Sequence, residues 1–543
     1  MLVGNAMVHL KGEPVEFSVP EYFNLSEVLV DRHVKAGKGN KVAYYHVETD
    51  KAYTYSELME RVCKAGNALL TLGIEIEDRI CLLLPDSIEY VELLLGAIRI
   101  GAQPILLSTL ERPEFYEFVL NDSVAKALVV HASLLGKVSN VIGRLPYLKH
   151  VIVVGGSLEG GKLISYDDLF RDASSQLQAE ELHKDDFCYW QYSSGTTGPP
   201  KGVIHYQHDP IYSCETYYKH VLQMTVNDVN FSTSKIFFAY GLGNTVWAPL
   251  YFGATALLMS SPPDPEGVLR AIERHRVTLF FSVPVFYNRI LAYVEQRRDS
   301  KYDLSSIRYC VSAGEALPAP IYYKWKETFG KDILDGIGTT ELCHIFISNM
   351  PGKIKPGSSG TVVPGYEVRI VDDQMRDVGF GEVGRLLVKG GSIAAMYWRR
   401  HEKTKEHFLG EWFYTGDLYV ADQEGFLTHM GRADDLIKSG GAWVSPVEVE
   451  SAILSHPSVL ECAVVQAYTN EGIGRPKAYV VLKDGYSPDE RLAEELKRHV
   501  FEKLGAGYKV PQWVVFVNEL PKTATGKIQR YKLRESRPDI TSG

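Results

Sequence analysis

A chain of 543 residues is too long for one ordinary hydrophobic core, so two or more domains are expected, each folding without disulfide staples. Apolar residues at 45%, charged residues at 23% and a formal net charge of −9 fit a globular protein and exclude the broad basic field that nucleic acid demands. Seven singly scattered cysteines with no C-x-x-C pair argue against a zinc site and for reducing surroundings. Residues Met1 to Glu16 lack the pattern of a signal peptide, and no run reaches the roughly 18 apolar residues of a membrane span, so a cytoplasmic protein without membrane contact is expected.

From Ala52 onward, helical stretches alternate with short apolar runs. Ser56 to Leu72 is amphipathic, Arg79 to Leu84 strand-like, Ile88 to Ile100 helical and Pro104 to Leu107 extended. Ala127 to Val130, Val151 to Val154, Thr278 to Ser282 and Arg308 to Ser312 repeat the short run, with helical segments such as Pro265 to His275 between several of them. This alternation predicts an α/β fold of mostly parallel sheets covered by helices. Around Gly379 to Gly391 the pattern turns to alternating apolar residues with Gly and Glu, which predicts a small β-rich subdomain. The last hundred or so residues read as a smaller α+β unit. Ser445-Pro-Val-Glu448 and Ser487-Pro-Asp-Glu490 have the spacing of capping boxes, and Leu492, Leu496, Val500 and Leu504 form one helix face before Gly505. Leu460 to Ala467, Ala478 to Leu482 and Trp513 to Val517 supply strands. The division expected is 1–432 for the large domain and 433–543 for a mobile smaller one, with the hinge at 433–435.

The most informative stretch is Tyr192-Ser-Ser-Gly-Thr-Thr-Gly-Pro-Pro-Lys-Gly202, entered from an apolar run. Glycines let backbone amides approach an anion, hydroxyls add neutral donors and Lys201 supplies charge, a composition suited to polyphosphate. It is not a Walker A loop, because Pro200 stands where the second glycine is required and Gly202 follows the lysine in place of Ser or Thr.

This loop resembles the phosphate loop of the adenylate-forming superfamily of acyl-CoA synthetases, peptide-synthetase adenylation domains and luciferases. Four later segments agree in order: Gly336-Ile-Gly-Thr-Thr-Glu341, Tyr414-Thr-Gly-Asp417, Gly431-Arg-Ala-Asp-Asp435 and Pro521-Lys-Thr-Ala-Thr-Gly-Lys527. The resemblance implies ATP contacts from Ser193, Ser194, Gly195, Thr196, Thr197 and Lys201, and from Gly314, Glu315 and Ala316 beside adenine. It extends them to Asp335, Gly336, Ile337, Thr340, Asp417 and Arg432. Thr340 would meet the α-phosphate, and Glu341 would hold Mg²⁺, a cation that takes oxygen ligands and shares them with substrate phosphates. Asp417 would accept the ribose hydroxyls. Ile337 departs from the tyrosine many members carry there, so adenine would meet aliphatic contact. Lys527 is the implied adenylation catalyst, a point charge on a flexible stem that reaches between carboxylate and phosphate. Asp434 matches the hinge about which the last domain swings. Lys438, Ser439, Gly440, Gly441 and Trp443 resemble the loop lining the coenzyme A tunnel.

For the acid, Lys235-Ile-Phe-Phe-Ala-Tyr-Gly-Leu-Gly-Asn244, Leu342-Cys-His-Ile-Phe-Ile-Ser-Asn349 and His205 to Pro210 resemble benzoate-CoA ligases. By that likeness Ala239, Tyr240, Gly338, His344 and Ile345 would line a small flat slot. Phe237, Phe238 and Phe346 read equally well as core residues. An early-pocket aspartate for an α-amino group is absent, as only Phe238, Ala239 and Tyr240 stand there. The implied reaction joins an aryl carboxylate, benzoate or hydroxybenzoate, to coenzyme A with ATP, through an acyl adenylate. A small aliphatic or alicyclic acid ligase, a catalytically silent nucleotide-binding regulator and a luciferase-like monooxygenase remain as alternatives. The sequence is compatible with a homodimer and does not specify one.

Overall fold

The computed structural model describes residues 7–156, 163–193, 199–297, 301–432, 435–439, 442–469, 472–522 and 528–535. Two large sheets form its framework. The first runs Met396–Tyr397, Lys201–Tyr206, Phe187–Ser193, Gln103–Leu106, Arg79–Leu83, Ala127–His131, His150–Val154 and Leu163–Ser165. Its strands are parallel from Phe187–Ser193 onward, and antiparallel only at the Lys201–Tyr206 and Met396–Tyr397 edge. The second sheet is parallel from Ile333–Gly338 through Tyr309–Ser312, Leu279–Ser282, Val229–Ser232 and Thr255–Leu258 to Val42–His46, with antiparallel strands at both ends.

Helices pack these sheets as the apolar spacing requires. Helix Tyr55–Thr71 starts at a true capping box, in which Thr54 accepts from the Glu57 amide and Glu57 accepts from the Thr54 amide. It buries Leu58, Val62, Ala65 and Leu69 along one face. The neighbouring helix Ile88–Arg99 crosses it so closely that a Cβ on Gly96 would lie 2.8 Å from the Gly66 amide nitrogen, which is why small residues stand at this crossing. The β-rich piece is an antiparallel sheet of His9–Lys11, Glu367–Val371, Gly384–Lys389, Trp412–Ala421 and Phe408–Leu409, with Leu427–Arg432 on the long strand.

The smaller unit has a three-stranded sheet, Val459–Tyr468, Gly474–Leu482 and Trp513–Phe516, under helices Pro446–Leu454 and Glu490–Leu504. Both capping-box expectations need correction. Ser445 does cap its helix through the Glu448 amide, but the Glu448 carboxylate takes Lys509 at 2.6 Å in place of the reciprocal bond. The second helix begins two residues later than read, capped by Asp489 on the Leu492 amide at 2.7 Å. Either residue, Asp489 or Ser487, can cap locally in isolation; burial of Leu492, Leu496 and Val500 accompanies the later start.

Candidate active site

The strands that flank the hydroxyl-rich segment, Phe187–Ser193 and Lys201–Tyr206, pair antiparallel with Ser193 opposite Lys201, which places the lysine at the end of the pairing. Ser194, Gly195, Thr196 and Thr197 lie outside the described residues. The Lys201 ammonium lies 4.3 Å from the centre of the Tyr397 ring, on the edge strand beside its own. The Tyr397 hydroxyl donates to Glu341 Oε1 at 2.7 Å, while the Thr339 hydroxyl donates to the other carboxylate oxygen. Burial pushes the Glu341 carboxyl up, but these two donors and the Lys201 charge outweigh it and hold the acid below the ordinary carboxylate range. Lys201 is itself lowered by burial, with Glu341 working against that.

Glu341 occupies a single 3-10 turn, Thr340–Leu342, capped by Thr339. Cys343 follows at φ 66°, a conformation that L-residues seldom adopt, and turns the chain into strand Ile345–Ser348. Buried His205 fixes the turn from below. Its Nε2 lies 2.7 Å from the Thr340 carbonyl, its Nδ1 2.7 Å from Asp209 Oδ2, and its ring stacks on Tyr189 at 4.9 Å. Glu341 is thus held through both carboxylate oxygens and through its backbone.

Around this turn lie the other expected nucleotide residues. Asp417 and Arg432 face each other across antiparallel strands, with Arg432 Nη1 3.2 Å from Asp417 Oδ1 and 3.1 Å from the Thr415 carbonyl. Asp417, and then Glu341, raise the Arg432 guanidinium, while Arg432 lowers Lys201, so the four groups share one field. Asp335 and Gly336 are buried at the end of a parallel strand, and Ile337 is half-buried. The Asp335 carboxyl accepts from the Leu317 amide at 3.2 Å, and burial pushes it up to about 8. Gly314 takes φ 92° in the loop after Ser312, turning the chain towards Glu315 and Ala316.

The aromatic segment folds as a short helix, Ala239–Leu242, that passes into a π-helical turn, Gly243–Trp247. The pair sits beyond the carboxyl ends of Val229–Ser232, Leu279–Ser282 and Tyr309–Ser312, where chain order reverses across the sheet and ligands of open α/β folds bind. Tyr240 donates to the Val311 carbonyl at 3.1 Å and stacks on His344 at 5.6 Å. Tyr217 and Tyr218 close on the same imidazole at 5.4 and 4.9 Å, and the Tyr218 hydroxyl meets His344 Nε2 at 2.8 Å and Asn244 Oδ1 at 2.7 Å. Burial drives His344 down to about 3, so the ring is neutral. Gly243 is required here because a Cβ would stand 2.4 Å from the His344 ring. Gly338 likewise backs onto the His344 carbonyl, Ile345 is buried, and Ala239 is partly exposed. Phe237 and Phe346 are buried in the main core, as the alternative reading of them had it.

In the smaller unit, Lys438 and Trp443 pair across the hairpin Ile437–Ser439 and Ala442–Val444, and Trp443 is 63% exposed. Ser439 is buried, donating to the Tyr508 carbonyl at 2.8 Å, so its side chain braces its own unit. Gly440, Gly441, Asp434 and Lys527 lie outside the described residues. Just past Lys527, the Ile528 amide donates to Glu315 Oε1 at 3.2 Å.

Sequence reasoning missed Tyr397, Thr339, Tyr218 and Asn244. Tyr397 lies far from Glu341 along the chain and carries no motif, so only the pairing of its strand with Lys201–Tyr206 brings it in. Thr339 was in view as part of the Gly336 to Glu341 segment, where its capping position could have marked it.

The chain matches the AMP-binding enzyme family over residues 30–398 and the AMP-binding enzyme C-terminal domain over 448–527. It is 43% identical to the benzoate–CoA ligase of Thauera aromatica, covering 96% of this chain and 98% of that one. It is 40% identical to the 4-hydroxybenzoate–CoA/benzoate–CoA ligase of Rhodopseudomonas palustris, covering 94% of each. Among solved structures, the anthranilate CoA ligase AuaEII in complex with anthranoyl-AMP superposes with a TM-score of 0.90 at 42% identity, covering 95% of this chain and 97% of that one. With the ordered motifs, the two parallel sheets and these full-length likenesses in hand, the chain belongs to the AMP-binding enzymes of the adenylate-forming superfamily and is an AMP-forming acid–CoA ligase.

Proposed function

We propose that the acid is an aryl carboxylate, benzoate or a hydroxybenzoate, converted with ATP and coenzyme A to the aryl-CoA, AMP and diphosphate. The observation that carries this reading is the neutral aromatic enclosure of His344, Tyr217, Tyr218 and Tyr240 beyond the strand ends. Such walls favour a flat ring, and neither a carboxylate nor a cation among these four meets a charged side chain on the acid.

In the first step a carboxylate oxygen attacks the α-phosphorus and diphosphate leaves. Two anions must approach, so the site needs positive charge where they meet. Lys201 and Arg432 supply it from the large body, and Lys527 brings it from the smaller one. Glu341 is buried, ionised and oxygen-donating, which fits a hard cation that shares its remaining ligands with phosphates. Glu341 would hold Mg²⁺, which when bound screens phosphate charge. Asp417 would take the ribose hydroxyls, with Thr340 beside the α-phosphate. In the second step the coenzyme A sulfur attacks the acyl carbon and AMP leaves. For that, residues 433–543 turn about Asp434 and present Lys438 to Trp443 in place of Lys527.

A second reading, an amino-substituted benzoate, is favoured by the likeness to the anthranilate CoA ligase AuaEII at 42% identity. Asn244 Nδ2, a buried donor without a hydrogen-bond partner among the described residues, would instead donate to the oxygen of a ring hydroxyl. Thioester formation from benzoate, its three monohydroxy isomers, 2-aminobenzoate, cyclohexanecarboxylate and hexanoate separates these readings. The expected result is an aryl acid at least about tenfold ahead of hexanoate in kcat/KM. Hexanoate well ahead of every aryl acid would remove the aryl assignment. Absence of pyrophosphate exchange with any acid would leave a silent nucleotide-binding protein.

A further inference from the structure

The described residues on either side of the segment that carries Lys527 are anchored to their own unit. Lys522 and Ile528 form an antiparallel β-bridge. Lys522 pairs with Glu461 at 2.6 Å, and Arg530 makes a two-pronged contact with buried Glu450 at 2.8 and 2.9 Å. Glu450 in turn accepts from the Val464 amide at 2.8 Å, so Lys522 and Arg530 are both tied to the helix and strand of their own unit.

From here, among the described residues, a hydrogen bond leaves for the large body. The Ile528 amide donates to Glu315 Oε1 at 3.2 Å, and Ile528 is the residue after Lys527. Glu315 stands on the Ala313 to Leu317 loop beside the expected adenine face, and its charge also reaches the Arg530 guanidinium. Among the described residues, Asn288 also bonds the Leu460 carbonyl at 2.6 Å and Gln296 bonds Asp484 at 3.1 Å. Both spring from helix Pro284–Gln296 and reach residues distant in sequence from Lys527. Of these described contacts, the one to Glu315 is made by the residue next to the lysine.

We propose that Glu315 is a positioning residue: it docks the Lys527 segment and so favours the adenylate-forming arrangement over the thioester-forming one. This rests on the reading of Lys527 and Asp434 given above. A contact present in one arrangement and broken in the other shifts their populations by its own strength.

The full-length enzyme tests this with Glu315→Ala and Glu315→Gln, assayed separately for carboxylate-dependent pyrophosphate exchange and for thioester formation from supplied benzoyl-adenylate. Glu315→Ala should lower the maximal exchange rate about tenfold, at least fivefold more than it lowers thioester formation, with KM for ATP moving less than about twofold. Glu315→Gln should recover much of the loss, because its amide oxygen still accepts from the Ile528 amide. A raised KM for ATP at unchanged maximal exchange would make Glu315 a nucleotide contact and overturn the proposal. Equal loss in both half-reactions, or no recovery in the glutamine variant, would overturn it as well. Wild-type exchange is measured first across the acid panel and the best acid used, so a wrong substrate class fails there without touching the Glu315 comparison.

Discussion

The surroundings of Glu341 and those of the Lys527 segment are built in opposite ways. Glu341 is over-determined: Tyr397 and Thr339 hold its side-chain oxygens, His205 holds the carbonyl of Thr340 before it, the Ala394 amide holds its own carbonyl, and Lys201 and Arg432 share its field. The described residues flanking Lys527 are tied to their own unit and meet the large body through the Ile528 to Glu315 bond. The difference follows from what each must do. Groups needed in the same place for both half-reactions gain from a preorganised setting whose cost is met in folding. A group needed for one half-reaction must leave for the other, so its docking can be worth only a few kcal/mol if the exchange is to run within turnover.

The sharpest way to break this comparison is Lys527→Ala. Removing the charge that the smaller unit is proposed to bring to the α-phosphate should lower pyrophosphate exchange by roughly 100-fold or more, the range seen when one electrostatic donor is lost from a transition state. Thioester formation from supplied benzoyl-adenylate should be much less affected. If both half-reactions fell together in separate assays, Lys527 would belong to the permanent set and the contrast would vanish.

The parts legible in the sequence are those whose cause is local. Helix Pro265–His275 has its capping aspartate, first-turn proline and apolar stripe within one segment, and its bounds agree with the reading. The short apolar runs became buried parallel strands because no other element hides so continuous a face. Glu341 and Asp417 stood out because each shares a short segment with a glycine and a threonine. Tyr397 and Tyr218 act only through tertiary placement, and a lone tyrosine has nothing beside it in sequence to mark it; Asn244 ends a segment that stood out, but its bond to Tyr218 depends on the fold. The later start of the Glu490–Leu504 helix was missed for a related reason: Ser487 and Asp489 are both competent caps, and packing chose between them.

Tyr397→Phe probes the over-determined side. It deletes one donor to a buried carboxylate while keeping the ring that faces Lys201, so Glu341 should become easier to protonate and less able to hold a cation. A lost hydrogen bond to a charged group is worth about 1.5–3 kcal/mol, or roughly 10- to 100-fold, shared between exchange rate and magnesium requirement. Exchange measured against magnesium concentration and pH should show a higher magnesium requirement and an acid limb moved to higher pH. An unchanged acid limb would mean that Thr339 and Lys201 suffice, and that the setting is less tightly specified than its geometry indicates.

The smallest effect expected concerns pH and the aromatic enclosure. Burial lowers His344 to about 3 and His33, whose Nε2 meets the Leu250 carbonyl at 2.7 Å, to about 4, from an ordinary value near 6.5. A histidine lowered in the folded state binds its proton more readily when unfolded, so its contribution to stability is complete above about pH 6.5 and is lost as pH falls towards the folded value. Each such group removes at most about 1.4 kcal/mol per pH unit in that window. The KM for benzoate should therefore stay flat between about pH 6 and 8.5, because the His344 ring does not change charge there, while the urea midpoint declines below about pH 6.5. A step in KM near pH 6.5 would place a titrating imidazole against the acid. The enclosure would then be a polar switch, as adjustable as the docked lysine segment and no longer its fixed counterpart.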